Sequence, residues 1–327
     1  MMQHQSQPDL RAGVGRLLLG IALVTLSACN PNAEVARDLR TACADGDAVA
    51  CNGYGQLATR GEHILRDWPT ATDVFQQACD GDVADGCVRL GHLLVHADAG
   101  ANGIGTDSTM SATLLERGCD GGALDGCVTL ADMYLSTDSV VPDQEPTGVL
   151  QDLTRAADLY GRACSGGEMS GCVRLGVMHG EGNGLPVDAV RAAELYEEAC
   201  NGEAALGCSR LGQSYEVGAG VALDPERAAA LYLEVCEEEE IGCFRLANLH
   251  TQGLGVPRDY DRAVELFETA CRGTVVEDRT GASYAEACFS LGDLYATGTG
   301  VDRDLSRGAS YFRRACRLGF QEACRRS

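Results

Sequence analysis

The side chains with the most chemistry in this sequence are cysteines, 17 in 327 residues. Thiols at such density can ligate metals, act as nucleophiles or oxidise in pairs, and their spacing separates these outcomes. With Cys29 set aside, sixteen remain as eight neighbouring pairs: Cys43/Cys51, Cys79/Cys87, Cys119/Cys127, Cys164/Cys172, Cys200/Cys208, Cys236/Cys243, Cys271/Cys288 and Cys316/Cys324. Six pairs are eight positions apart, one seven and one seventeen. Zinc knuckles need closer Cys-x-x-Cys spacing, which is absent, and an oxidising compartment would consume free thiols. The even count in an exported chain favours disulfides, with no metal and no cofactor expected.

Other reactive groups are sparse. There is no lysine, so all 26 basic residues are arginine. A Walker-type phosphate loop, a Schiff-base enzyme and a Ser-x-x-Lys acylation site are thereby excluded, because each needs that amine. His92 and His96 lie four apart, but the Glu of a His-Glu-x-x-His zinc site is missing. A net charge of −22 and a pI near 4.5 repel phosphate backbones, so no nucleic acid partner is expected.

The N-terminus accounts for Cys29. Arg11 and Arg16 precede an apolar run of ten, Leu17 to Leu26, too short to span a bilayer and suited to an export signal. Leu26-Ser27-Ala28-Cys29 resembles a bacterial lipobox, in which cleavage before the cysteine leaves its thiol to carry a diacylglycerol. The resemblance implies a signal peptide at 1–28, a lipidated tether at 29–32 and a repeat domain at 33–327, with the membrane reached through the lipid. Asn30 after the cysteine favours the outer membrane, facing the periplasm or the cell surface. A cleaved secretory signal with Cys29 as a spare thiol is the alternative.

The cysteine pairs also set a ruler. First cysteines follow one another at 35 or 36 residues in four cases and at 40 or 45 in three, the signature of a helical repeat with insertions. Twelve residues before each first cysteine from Cys79 onward stands an aspartate: Asp67, Asp107, Asp152, Asp188, Asp224, Asp259 and Asp304. Aspartate before an apolar-periodic segment predicts a helix N-cap. That segment, helix B, carries small residues at Ala192, Ala228 and Ala263 and bulky pairs such as Leu195-Tyr196. Helix A begins near the second cysteine, has Gly212 and its equivalents for close packing, and ends at glycines such as Gly218 and Gly220 or Gly298 and Gly300.

The run Leu-Gly-x-x-Tyr-x-x-Gly-x-Gly-Val, followed by Asp-x-x-Arg-Ala-x-x-Leu-Tyr-x-x-Ala, resembles the Sel-one-like repeat (SLR) family, relatives of tetratricopeptide repeats. The cysteine additions look like its secreted cysteine-rich, Hcp-type subgroup. The resemblance covers about residues 33 to 324 and implies an all-α fold, an α/α superhelical solenoid of about seven hairpins. It departs from the pattern between Cys119 and Asp152, where the A–B loop swells, and in the Cys271–Cys288 insertion. Each cysteine pair then joins the end of helix B to the start of the next helix A across a short turn, where a bridge is sterically reasonable.

Counted from the second cysteine, positions two, five and nine share one face of helix A: Arg89/His92/His96, Thr129/Asp132/Ser136, Arg174/Val177/Glu181, Arg210/Gln213/Val217, Arg245/Asn248/Gln252 and Ser290/Asp293/Thr297. Arg89, Arg174, Arg210 and Arg245 are expected to form a cationic stripe. With Gln213 and Asn248 it would suit a protein or peptide ligand, either its backbone or an acidic terminus. The competing expectation is that these arginines are solvated or paired with acids of adjacent helices. His179 and His250 occupy the slot of Tyr134, Tyr215 and Tyr295 and read as packing residues, and Glu237 to Glu240 reads as a solvated loop. The function expected is a peptide-binding envelope scaffold. Hcp-type relatives imply β-lactamase or penicillin-binding activity as an alternative, for which no residue constellation here supplies the chemistry. A purely structural envelope spacer is the other.

Overall fold

A computed structural model describes residues 31–61, 65–96, 107–135, 149–239, 242–272 and 282–326. Cys29 and the segment expected to be an export signal, the swollen loop after helix A of the third cysteine pair, and residues 273–281 of the last insertion lie outside the described residues. Sixteen helices account for the ordered structure among the described residues, with no strand.

They fall into two compact units, one up to Gly126 with residues 147–149, the other from Cys127 with the rest. The first unit holds α1 (Pro31–Ala44), α2 (Ala48–Arg60), α3 (Trp68–Asp80), α4 (Ala84–His96) and α5 (Ser108–Asp120). Helix α6 (Leu124–Leu135) enters the second unit at Cys127. There follow α7 (Leu153–Ser165), α8 (Met169–Glu181), α9 (Ala189–Asn201), α10 (Ala205–Val217) and α11 (Pro225–Glu239). Helices α12 (Cys243–Gln252), α13 (Tyr260–Arg272), α14 (Ala282–Thr297), α15 (Leu305–Arg317) and α16 (Gln321–Arg326) complete it. Within each unit successive helices pack as A–B hairpins, α2–α3 and α4–α5 in the first, α8–α9 through α14–α15 in the second. Chain-adjacent neighbours supply these contacts, as in a solenoid.

One aspartate per hairpin sets the helix A to helix B junction. Its carboxylate accepts from the N–H three residues on, from Asp67–Thr70 at 3.2 Å through Asp188–Arg191 and Asp304–Arg307 at 2.9 Å. Its own N–H donates back to a carbonyl near the end of helix A, as Asp188 to His179 and Asp224 to Tyr215, both at 2.9 Å. The same residue therefore satisfies an orphan donor of one helix and an orphan acceptor of the other. Helix A ends on a left-handed glycine, Gly218 at φ 71° and Gly298 at φ 77°.

The opposite turn is closed covalently. Cys43–Cys51, Cys79–Cys87, Cys164–Cys172, Cys200–Cys208, Cys236–Cys243, Cys271–Cys288 and Cys316–Cys324 are bridged, with Cα atoms 4.4–4.9 Å apart. Cys119 and Cys127 are disulfide-bonded too. Disulfides at this density form and persist in oxidising compartments outside the cytoplasm. The run of glutamates before Cys243 corrects one expectation: α11 continues through Glu239 rather than ending in a loop. Glutamate is a good helix former, and its side chain does not compete for the backbone as turn residues do.

Candidate functional site

In the second unit the A-helix arginines do not form a stripe of free charge. The Arg174 guanidinium lies 3.3 Å from Asp132 of the preceding helix A, and Arg245 lies 3.7 Å from Glu216 of its predecessor. Arg326, at the same register in α16, pairs with Asp293. The expectation of a cationic stripe is thus corrected for Arg174 and Arg245, because an acid one repeat earlier comes within reach of each. In the first unit Arg89 pairs within its own helix, 2.8 Å from Asp85. Asp85 also accepts from Asn52 at 2.7 Å and Gln56 at 3.3 Å. Burial raises its pKa, but the bonds from Arg89 and Asn52 outweigh this and hold the carboxyl below its ordinary value.

Arg210 is the exception. It has no acidic partner among the described residues, and it lines a cavity of about 170 Å³ with Gln213, Ser214 and Val217 of α10 and Tyr196, Ala189 and Ala192 of α9. Gly180 of α8 and Ala219 complete the wall. The structure therefore brings Arg210 and Gln213 together at one site. Asn248, one repeat further on in α12, is half-buried and not in that wall.

The fold positions these groups through the repeat itself. Gly212 brings α10 against α11, since a Cβ there would come 2.7 Å from the Tyr232 ring, and Gly176 does the same for Tyr196 at 2.6 Å. Held so, each B-helix tyrosine sends its hydroxyl towards the A-helix face. Tyr160 donates to Asp132, and Tyr232 donates to Glu216 at 2.7 Å. Tyr196 is buried as well, at 8% exposed, yet no acid among the described residues takes its hydroxyl. Burial pushes the Tyr196 phenol up, Arg210 opposes this, and Glu181 adds to it. Glu181 is itself engaged by the Asn183 amide at 2.8 Å. The phenol thus stays protonated and available as a donor.

Sequence reasoning missed Tyr196 and Gly180, and the signal was present in register. Gly180 stands where the next repeat has Glu216, and Val177 where the preceding repeat has Asp132. From Asp152 onward an arginine stands three residues after each cap aspartate, and what this second column touches also went unread. Arg155, Arg227 and Arg307 lie over the rings of Tyr134, Tyr215 and Tyr295 at 4.9, 4.4 and 4.2 Å. Where the ring position is His179 or His250, the arginine turns to a glutamate of its own helix, Arg191 to Glu194 and Arg262 to Glu265, both at 2.8 Å.

Metal-binding types converge at Cys164, Cys172 and Glu198, but both sulfurs are spent in the bridge and offer no thiolate. His92 is half-buried on α4, and the His96 side chain lies outside the described residues. No helix among the described residues is long and apolar enough to cross a membrane.

With fold and site in view, the class is a helical-repeat scaffold. The Sel1 repeat family model matches residues 144–168, 170–203, 205–238, 241–274 and 285–320, and the chain belongs to the Sel1-repeat family. Among solved structures it is similar to c5321, a protective antigen of uropathogenic Escherichia coli strains with an SLR fold. That likeness has a TM-score of 0.68 and 23% identity over 88% of this chain and 57% of that one. This chain thus spans little more than half of the antigen's length. It is similar also to a Sel1 repeat protein from Oxalobacter formigenes, with a TM-score of 0.65 and 19% identity over 89% of this chain and 78% of that one. Helicobacter pylori cysteine rich protein B is 31% identical over 43% of this chain and 96% of its own, with a TM-score of 0.33. No curated protein matched the chain.

Proposed function

We propose that this Sel1-repeat protein is an exported, lipid-anchored scaffold of the bacterial cell envelope that binds protein or peptide segments along the exposed face of its A helices. The cavity beside Arg210 carries this reading. It joins an unpaired guanidinium, an amide from Gln213 and a phenol to the rim residue Val217, an apolar side chain left 64% exposed. Convergent polar groups in an apolar concavity are the usual makings of a recognition site. Arg174 and Arg245 contribute donor surface around their ion pairs and Asn248 extends the amide face, while Arg89 offers the same kind of donor within the first unit. Exposed ion pairs of this kind are individually weak, so a ligand carboxylate or carbonyl can compete for these donors.

Export and anchoring rest on the sequence at Leu26–Cys29. Residues 1–28 are the signal, Cys29 the lipidated residue, 29–32 the tether and 33–327 the solenoid, held at the outer membrane. The number of disulfides supports an oxidising location.

The test is affinity capture from detergent-solubilised membranes under oxidising conditions, with the wild-type chain and a variant carrying alanine at Arg174, Arg210 and Arg245. A protein retained by the first and lost by the second, at unchanged helical circular dichroism, is the expected outcome. Equal retention removes the A-helix face from the account, and absence of any specific partner removes the scaffold.

A further inference from the structure

The ligand chemistry of the Arg210 cavity can be read from the hairpins on either side of it, and this inference rests on the scaffold reading above. In the preceding hairpin Tyr160 and Arg174 share the carboxylate of Asp132. In the following one Tyr232 and Arg245 share that of Glu216, at 2.7 and 3.7 Å. The arrangement is the same each time: an acid from one helix A, a tyrosine from its helix B, an arginine from the next helix A. Between them Tyr196 and Arg210 keep the tyrosine and the arginine. The two positions that supply the acid are instead Val177 and Gly180.

The next hairpin is a control within the same chain. There the acid positions are Asn248 and Thr251, the tyrosine is Phe267 and the arginine is Ser290. Acid and guanidinium are absent together there, with the phenol, whereas the hairpin after it keeps both, Asp293 and Arg326, around Phe312. At Tyr196 and Arg210 two donors remain without an acceptor among the described residues, and the missing side chain leaves room. Gly180 lines the cavity, and a Cβ there would stand 3.8 Å from the Tyr196 hydroxyl.

We infer that Tyr196 and Arg210, with Gln213 beside them, form a socket for the carboxylate of a bound polypeptide, which takes the place the chain's own acid fills in the hairpins before and after. Arginine and a phenol donating to one carboxylate give charge-assisted hydrogen bonds, the stronger kind. The cavity of about 170 Å³ suits one small group, since an engineered cavity of about 150 Å³ admits benzene. A chain terminus and a Glu or Asp side chain both carry that group.

The oxidised full-length chain, labelled with ¹⁵N, is titrated with three probes: N-acetyl-alanyl-alanine, its C-terminal amide, and N-acetyl-glutamic acid α-amide. Amide signals of Gly180, Tyr196, Arg210 and Gln213 are followed. The first probe presents a terminal carboxylate, the third a side-chain one, and the second neither. Saturable shifts at these residues from one or both acids are expected, at millimolar affinity and about tenfold stronger than from the amide. Preference between the two acids identifies the source. Arg210→Gln is expected to cost about tenfold or more. Gly180→Glu is expected to supply the acid internally, abolishing probe binding while melting no lower than wild type. Equal response to the neutral amide, no saturable response to either acid, or undiminished acid binding by Gly180→Glu overturns the socket. Capture of the membrane partner by Gly180→Glu as by wild type, with acid probes excluded, would relocate docking elsewhere and leave the scaffold standing.

Discussion

At the residue scale the molecule is a set of small polar agreements, each repeated with local edits. The cap aspartate is the most constant. Replacing Asp188 with alanine removes the acceptor of the Arg191 N–H and is expected to cost about 1 kcal/mol, read as a shift in the denaturation midpoint. The neighbouring ring–arginine contacts vary with the ring. Tyr215→Ala removes the face that Arg227 covers and is expected to cost more than the same change at His250, whose matching Arg262 is held by Glu265. The Tyr196–Arg210 socket has a definite pH signature. The raised phenol stays protonated and guanidinium groups do not titrate in this range, so acid-probe affinity is expected to be level from about pH 6 to pH 9. It falls as the ligand's own carboxyl takes up its proton near pH 4. A fall centred near neutral pH would point to a histidine instead. Asp85 gives a parallel test of stability. Its folded pKa is depressed, so its contribution is present above its ordinary value of 3.8 and is lost as pH drops through the folded value. Asp85→Asn is expected to remove that part of the acid dependence of unfolding.

At the element scale, what was legible in the sequence is what the repeat enforces. Seven aspartates at one spacing predicted seven helix starts, and from Asp67 to Asp304 each carboxylate accepts the N–H three residues on. The glycines of the A–B junction were legible too, because left-handed backbone has few alternatives. What escaped was pairing between repeats. A face drawn on one helix lists Arg174, Arg210 and Arg245 as equivalents, although whether each is free depends on a residue some 30 to 40 positions earlier. The loop reading of Glu237 to Glu240 failed at Glu237 to Glu239 for a related reason: acidic runs resemble loops until a packed helix carries them on. The B–A turns offer a prediction of their own. Among the described ones most hold a left-handed glycine, as at Gly167, but Asp82 and Glu203 adopt φ 59° and 64° with a side chain. Glu203→Gly relieves a cost of about 1–2 kcal/mol against a smaller entropic loss, so the variant should melt slightly higher.

At the scale of the whole molecule, a solenoid has no central core and depends on contacts between neighbours. Short bridges suit such a fold because each secures one junction without reference to the others. Loss of the Cys200–Cys208 bridge is expected to destabilise by about 2–3 kcal/mol in the chain-entropy view. Hydrogen exchange should quicken around α9 and α10 and leave distant hairpins unchanged. Anchoring is argued from Cys29 alone: Cys29→Ser should move the protein from the membrane fraction to the soluble fraction without altering its helicity.

The binding face is tested most directly by photocrosslinking in the intact envelope, with a photoreactive residue placed in turn at Gln213 and at the exposed helix B residues Glu198 and Glu234. The A-helix account predicts a discrete adduct from position 213 that the Arg210→Gln change weakens, and none from 198 or 234. Adducts from the helix B positions with position 213 silent would contradict it.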